Sequence, residues 1–418
     1  MNINYIKEIN NSRVYDVAEN TPLSLLNKIS LKYNNTVYLK REDLQPIFSF
    51  KCRGAYNKIS NLSISEKASG IIAASAGNHA QGVALSASKL NIDALIVMPT
   101  TTPSIKIDSV KKFGVKVKLY GDSFDEAYEY ALMTSKKEGR VFIHPFDDPL
   151  VISGQGTVAK EIVEQTKVTP DIFFVPVGGG GLISGMSIYL KEHYPNCKIY
   201  GVESEDAPTL YTSLKNKKPT SLEQVGLFVD GCAVKRIGEE TFKISKEYVD
   251  DVILVSIDET CAAIKDIYED TRVMSEPAGA LAIAGMKKFI LSNDVNNKKI
   301  IAINSGANLN FDRLRHVTER TEIGEGKELL LSVKIPEKSG SFRAFCEVIG
   351  KRSISEFNYR YANEKSANVF VGIKTDDKEK DTQNIFKVLN NKKYDFIDLT
   401  MNEVAKLHLR YMVGGHTN

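Results

Sequence analysis

Four consecutive glycines, Gly178, Gly179, Gly180 and Gly181, follow an apolar run at 172–177 and precede Leu182, where a helical pattern begins. Glycines at the end of a buried strand let backbone N–H groups crowd around an anion at the N-terminus of the next helix. The spacing narrows that anion. No frame gives G-x-G-x-x-G, because Ile183 and Ser184 fall where the third glycine would, and Gly185 is followed by Met186 rather than lysine. The stretch therefore suits the phosphate of neither a dinucleotide nor a nucleoside triphosphate. A plain tight turn is the other use of such a run.

A smaller phosphorylated cofactor, pyridoxal phosphate, fits these limits, and it needs a lysine for its Schiff base. Lys51 is the candidate, a lone cation in Ser49-Phe50-Lys51-Cys52 at the opening of a helix. Helix-end potential and partial burial both disfavour an ammonium and lower its pKa, although a lysine at a helix start is also a common solvated residue. A second loop, Ser75-Ala76-Gly77-Asn78-His79, joins a strand to a helix. Its small residues leave N–H groups where a carboxylate can bind, and the alternative is an ordinary turn capped by Asn78. A third loop, Asn304-Ser305-Gly306-Ala307-Asn308, ends the last strand of the same region. Ser305 there is a candidate ligand or a serine satisfying its own turn.

These loops need elements to hold them. From residue 36 to about 306, short β-branched runs at 37–39, 71–74, 94–97, 116–119, 172–177, 198–202, 252–255 and 300–303 alternate with helical periods. Thr102 is placed to cap a helix opened by Pro103 and closed at Gly114, and Ser123 with Glu126 has capping-box spacing before a helix ended by Gly139. Strand–helix alternation of this length predicts an α/β fold with a mostly parallel sheet, which binds ligands beyond its strands' carboxyl ends. The pattern changes after Thr321, where 322–327 reads as a linker. Strands at 329–335, 354–361, 368–375 and 395–399, with helices from Ser341 and near 382–389, follow in the β-α-β-β-α-β order of a ferredoxin-like module.

Composition removes other classes. The chain has 418 residues, 26% of them charged, with a net charge of +3 and no basic stripe, so nucleic acid is not an expected partner. No apolar run approaches a membrane span. Cys52, Cys197, Cys232, Cys261 and Cys346 are far apart and odd in number, which argues for a reducing cytoplasm rather than a disulfide framework or zinc site.

In order and chemistry together, Ser49-Phe50-Lys51, residues 75–82 and 178–182, Glu276-Pro277-Ala278-Gly279-Ala280 and residues 304–308 resemble the threonine dehydratases (threonine ammonia-lyases) of the tryptophan-synthase-β-like, fold-type II pyridoxal-phosphate family. The resemblance covers the first three-quarters of the chain, and the C-terminal module, including its ending at 407–415, resembles the ACT-like regulatory domain of biosynthetic members. It implies a two-subdomain catalytic domain over 1–325 and an ACT-like domain over 326–418. It also implies that Lys51 forms the Schiff base and later removes the Cα proton. Phe50 would pack on the pyridine ring, Asn78 would bond its hydroxyl, Gly178 to Leu182 would hold the phosphate, and Ser305 would face the ring nitrogen. Ser75, Ala76, Gly77, Asn78 and His79 would bind the substrate. The implied reaction converts L-threonine to 2-oxobutanoate and ammonia, with L-serine as an expected second substrate. It is the committed step of isoleucine synthesis, with isoleucine as inhibitor and a homotetramer in the cytoplasm as the working form. Ala76 replaces the serine that racemases of this kind use as a second acid, so little racemisation is expected. Glu203 and the Ala207 carbonyl lie where relatives hold a cation, but Thr209 replaces an aspartate, so a paired, buried Glu203 and no metal are expected. The competing readings are serine dehydration or β-replacement on the same cofactor, and a catalytically silent amino-acid sensor.

Overall fold

The computed structural model describes residues 3–376 and 378–402, so the 407–415 ending lies outside the described residues. The chain divides into two compact units, Met1–Arg313 and Leu314–Asn418.

In the first unit the β-branched runs become two sheets. Leu23–Leu25, Thr36–Arg41, Lys299–Asn304, Ile172–Pro176, Lys198–Ser204 and Asp251–Val255 form a six-stranded sheet in that spatial order. All its neighbours are parallel except Leu23–Leu25 against Thr36–Arg41. Lys116–Leu119, Ala94–Met98, Ile71–Ala74 and Val141–Phe142 form a parallel four-stranded sheet. Their ends follow the sequence reading to within a residue or two, while Leu23–Leu25 and Val141–Phe142 are too short to register as periodic runs. The Ser123 capping box and the left-handed Gly139 C-cap form as expected. Thr102 does not: the cap position of Ser104–Lys111 is Pro103, and the Thr102 hydroxyl is buried without a partner.

One helix, Pro149–Gln165, acts as the spine of the site. Asp148 caps it, accepting from the N–H groups of Leu150 and Val151. Two helices lie against it with backbone touching backbone. A Cβ on Gly154 would sit 2.7 Å from Gly54 Cα of helix Lys51–Ser60, and one on Gly185 of helix Gly181–His193 would sit 2.2 Å from the Ile152 carbonyl. The helices that begin at Lys51 and at the tetraglycine are thus both set on a single rigid element.

Four wholly buried charged side chains add a second tie between these parts. Glu161 accepts from Lys40 Nζ at 2.5 Å and from Arg53 at 2.6 Å, and Arg53 also donates to Glu42 at 2.8 and 2.9 Å. Burial alone would push the Glu42 carboxyl up, but Arg53 and Lys40 outweigh it and hold it below the usual range. Two positive and two negative charges cancel, the condition under which such a cluster persists without water.

The second unit is an antiparallel sheet in the order Ile354–Asn363, Ser366–Lys374, Glu328–Pro336, Asp395–Asp398. The sequence alternates as a half-buried strand should. Leu329, Leu331, Val333 and Ile335 pack with Phe345, Ile385 and Leu389 of helices Ser341–Ile349 and Lys378–Asn391. Leu330 and Phe370 on the opposite face meet Ile323. Residues 322–324, read as linker, are instead the end of helix Leu314–Gly324. None of the described helices is long and apolar enough to cross a membrane.

Candidate active site

Lys51 reaches its place through a strained turn. Phe48 adopts a left-handed φ of 55°, and its N–H donates to the Gln45 carbonyl at 2.7 Å. Left-handed backbone in a non-glycine residue costs about 1–2 kcal/mol, so the surroundings must enforce it. They do so by pairing: the Phe48 carbonyl accepts from Ala307 N at 2.9 Å, Phe50 N donates to Ser305 O at 3.3 Å, and Ser49 bridges Gly306. The Lys51 ammonium donates to the Pro145 carbonyl at 3.1 Å. Burial brings its pKa down to about 8, with Cys232 and Glu276 opposing. An amine so placed sheds its proton near pH 8, well below the ordinary lysine range.

The tetraglycine turn is shaped by what lies behind it. Gly180 caps helix Gly181–His193 at φ 89° with no side chain to satisfy the first-turn N–H groups. A Cβ there would meet Thr241, and a Cβ on Gly179 would overlap the Phe146 ring. The Thr241 hydroxyl donates to the Gly179 carbonyl at 2.8 Å and the Thr209 hydroxyl to the Gly178 carbonyl at 3.0 Å, so two carbonyls of the turn are taken up by side chains. Helix Asn78–Leu90 starts in the same manner from Gly77, without a side-chain cap. Two bare helix N-termini therefore face one cavity of about 1090 Å³. Phe50, Lys51, Ser75, Ala76, Gly77, Asn78, His79, Gly178, Gly179, Gly180, Gly181, Leu182 and Ser305 all line that cavity.

Asn78 is not the helix cap. It is the first helical residue, and its side chain is held between two others: Nδ2 donates to Glu276 Oε1 and Oδ1 accepts from Asn308 Nδ2, both at 2.7 Å. Burial and the charge of Asp230 push Glu276 up to about 7 against the Asn78 hydrogen bond. His79 donates through Nε2 to the Ile143 carbonyl at 2.9 Å, and burial with the Lys51 charge takes its pKa down to about 3. Glu203 is buried behind the tetraglycine, accepting from Leu210 N at 2.8 Å and Tyr211 N at 2.9 Å at the start of helix Thr209–Asn216. Burial raises it to about 7 in spite of those bonds. Among the described residues no three or more His, Cys, Asp or Glu side chains gather in a way that could hold a metal ion.

The sequence reading missed the strap at 143–147. Ile143 takes His79, His144 lines the cavity, Pro145 takes Lys51, and Phe146 packs on Gly179 and Gly181. Asp147 then accepts from Glu239 N at 2.9 Å and Glu240 N at 3.0 Å, fixing the helix that carries Thr241. Its only local mark is a histidine–proline pair before a capped helix, a combination common in loops.

These residues fit pyridoxal phosphate. A side-chain-free helix terminus suits a phosphate, a lysine of depressed pKa suits a carbonyl carbon, and the Ser305 hydroxyl, with no hydrogen bond among the described residues, is left for a ring atom. Comparison with known proteins agrees. Residues 14–306 match the family model of pyridoxal-phosphate dependent enzymes, and 319–409 match the C-terminal regulatory domain of threonine dehydratase. The L-threonine dehydratase biosynthetic IlvA of Pasteurella multocida is 51% identical over 99% of this chain and 80% of its own length. Its Escherichia coli K12 counterpart is 48% identical over 98% and 80%. The solved structure of the processed form of threonine deaminase isoform 2 from Solanum lycopersicum is 50% identical. It superposes with a TM-score of 0.74 over 76% of this chain and 92% of that one.

Proposed function

This chain belongs to the pyridoxal-phosphate dependent enzymes and to the threonine dehydratases among them, and from that premise we propose that it eliminates water from L-threonine to give 2-oxobutanoate and ammonia. The observation that carries the reading is the convergence of a lysine of lowered pKa and two uncapped helix N-termini on one cavity. A hydroxy amino acid and a phosphorylated cofactor bring two anionic groups and one acidic C–H, which this arrangement matches.

Bound pyridoxal phosphate supplies the electron withdrawal that makes the amino acid's Cα–H acidic. The protein does the rest. The first-turn N–H groups of Gly181–His193 would hold the phosphate, and those of Asn78–Leu90 would hold the substrate carboxylate. Asn78, locked between Glu276 and Asn308, presents its second amide hydrogen to the ring hydroxyl. Lys51 Nζ removes the Cα proton, and its depressed pKa keeps a useful fraction unprotonated near pH 8. Ser305 would meet the ring nitrogen with a neutral hydroxyl rather than a carboxylate, an environment that would favour expulsion of the β-oxygen over reprotonation at Cα. Ala76 lines the cavity and carries no transferable proton, so racemisation is negligible.

Residues 326–418 form the regulatory domain in this reading. Isoleucine binds there and inhibits, the subunits assemble as a tetramer, and the enzyme works in the cytoplasm. Matching of 319–409 to a threonine dehydratase regulatory domain supports the first of these. Purified protein given L-threonine should release 2-oxobutanoate, and isoleucine should suppress the release. Absence of any 2-oxo acid would overturn the reaction, and turnover indifferent to isoleucine would overturn the effector.

A further inference from the structure

The two bare helix ends account for two anions, but the β-oxygen of a hydroxy amino acid has no partner assigned. His144 lines the same cavity and is so far without a task. Its Nδ1 accepts the Asp147 N–H at 2.8 Å and lies 3.3 Å from the Phe146 nitrogen. A ring nitrogen that receives backbone donors carries no proton, so the neutral imidazole has its single N–H at Nε2. Nε2 meets no acceptor among the described residues. Edge-on contacts to Phe146 at 4.7 Å, Phe142 at 6.2 Å and Tyr128 at 6.5 Å fix the ring plane. The next residue's carbonyl is the one that Lys51 Nζ bonds, and both His144 and Lys51 line the same cavity. His79 cannot serve instead, because its N–H is spent on the Ile143 carbonyl and only an acceptor nitrogen is left.

We propose that His144 is a substrate-facing hydrogen-bond donor, frozen in its Nε2–H tautomer, that receives the side-chain oxygen of a 3-hydroxy amino acid as the Cβ–O bond breaks. The proposal rests on the dehydratase reading and adds a residue to it. The Cα–H electron pair becomes the Cα–Cβ double bond, and the C–O pair leaves with the oxygen. Lys51 returns the proton it took to that oxygen, and water departs. The imidazole keeps its own proton throughout. Its contribution is a fixed dipole aimed at developing negative charge. Burial lowers the His144 pKa and outweighs the opposing charges of Asp147 and Asp148, with the Lys51 charge adding a smaller push in the same direction, in keeping with the neutral ring that the Nδ1 contacts require.

The test uses full-length holoenzyme with L-threonine and with β-chloro-L-alanine, whose chloride leaves without a proton and accepts only a weak hydrogen bond. His144→Asn keeps an acceptor near the Nδ1 position for the two backbone N–H groups but has no donor at the Nε2 position. His144→Gln offers an amide donor closer to Nε2. Thermal melting and the absorbance of bound cofactor report whether each variant folds and loads. The asparagine variant should lose about 10²-fold in kcat on threonine, the cost of removing one preorganised donor, and stay within about threefold on chloroalanine. The glutamine variant should regain part of the loss. Equal falls on both substrates, or no fall on threonine, would overturn the proposal. Wild-type enzyme inert on both substrates would instead remove the dehydratase reading itself.

Discussion

Glutamine in place of Glu161 takes one charge from the four buried at the root of helix Lys51–Ser60. All four side chains are fully shut off from solvent, so the variant strands a positive charge with no water to share it. The glutamine oxygen can serve Lys40 or Arg53 but not both, and its amide group turns a donor toward the other cation. Removing one partner of a buried pair costs about 3–5 kcal/mol. Lys40 sets the ceiling on that cost. Burial already pulls its ammonium below the usual lysine range, with Glu42 and Glu161 opposing. Without Glu161 it releases its proton on folding, at about 1.4 kcal/mol per unit of difference from pH. At roughly 2 °C per kcal/mol for a unit of this size, melting should fall by about 6–10 °C at pH 7. The sign with pH follows. A lysine whose folded pKa is depressed destabilises below that pKa, and the penalty fades as pH rises toward the unfolded value near 10.4. The gap between variant and wild type should therefore shrink in alkaline buffer, and adding Lys40→Met should recover most of it at pH 7. Calorimetric melts of the three proteins from pH 6 to about 10 make the test. A Glu161→Gln protein that melts with wild type at pH 7 would refute the argument from buried charge.

Lys51 lends itself to a related measurement on cofactor-free protein. With its folded pKa at about 8, the stability it withholds at neutral pH returns between that value and the unfolded one. Lys51→Met should then be the more stable protein by about 3 kcal/mol at pH 7, with the advantage down to less than about 1 kcal/mol by about pH 10, as chemical denaturation would report. An advantage constant with pH would point to packing instead. Gly180→Ala puts a Cβ 2.9 Å from Thr241 at a φ of 89°. It should cost about 1–2 kcal/mol in backbone strain and loosen the hold on phosphate. Equilibrium dialysis followed at the cofactor's absorbance band checks this, and unchanged retention would count against the glycine turn as the phosphate cradle.

Eight of the ten strands in the first unit's two sheets were legible as short apolar runs bounded by turn residues, a local signal that needs no partner, whereas Leu23–Leu25 and Val141–Phe142 are too short to leave one. The C-terminal β-α-β-β-α-β order was legible for the same reason. Thr102 misled because a threonine directly before Pro103 looks like the cap of a helix opened by that proline, whereas here Pro103 itself occupies the cap position and the threonine hydroxyl is left buried. Asn78 illustrates the opposite case. Its local role as a cap lost to long-range partners, Glu276 and Asn308, that lie about 200 residues away in the chain. The strap at 143–147 was invisible for that reason too: its contacts with Lys51, His79, Gly179 and the helix at 239–248 are all made with distant segments, and none leaves a period in the sequence. Lys51, the tetraglycine and Ser305 were found because each stands at a strand-to-helix or strand-to-loop junction, where an α/β sheet places its ligands.

The central claim is that Lys51 in this cavity drives elimination of water from threonine. Ammonia and 2-oxobutanoate should be measured together from L-threonine with wild-type holoenzyme and with Lys51→Ala loaded with the same cofactor. Wild type should release the two products in equal amounts, and the variant none above background. Matching turnover by the variant, or ammonia without the oxo acid from wild type, would contradict it.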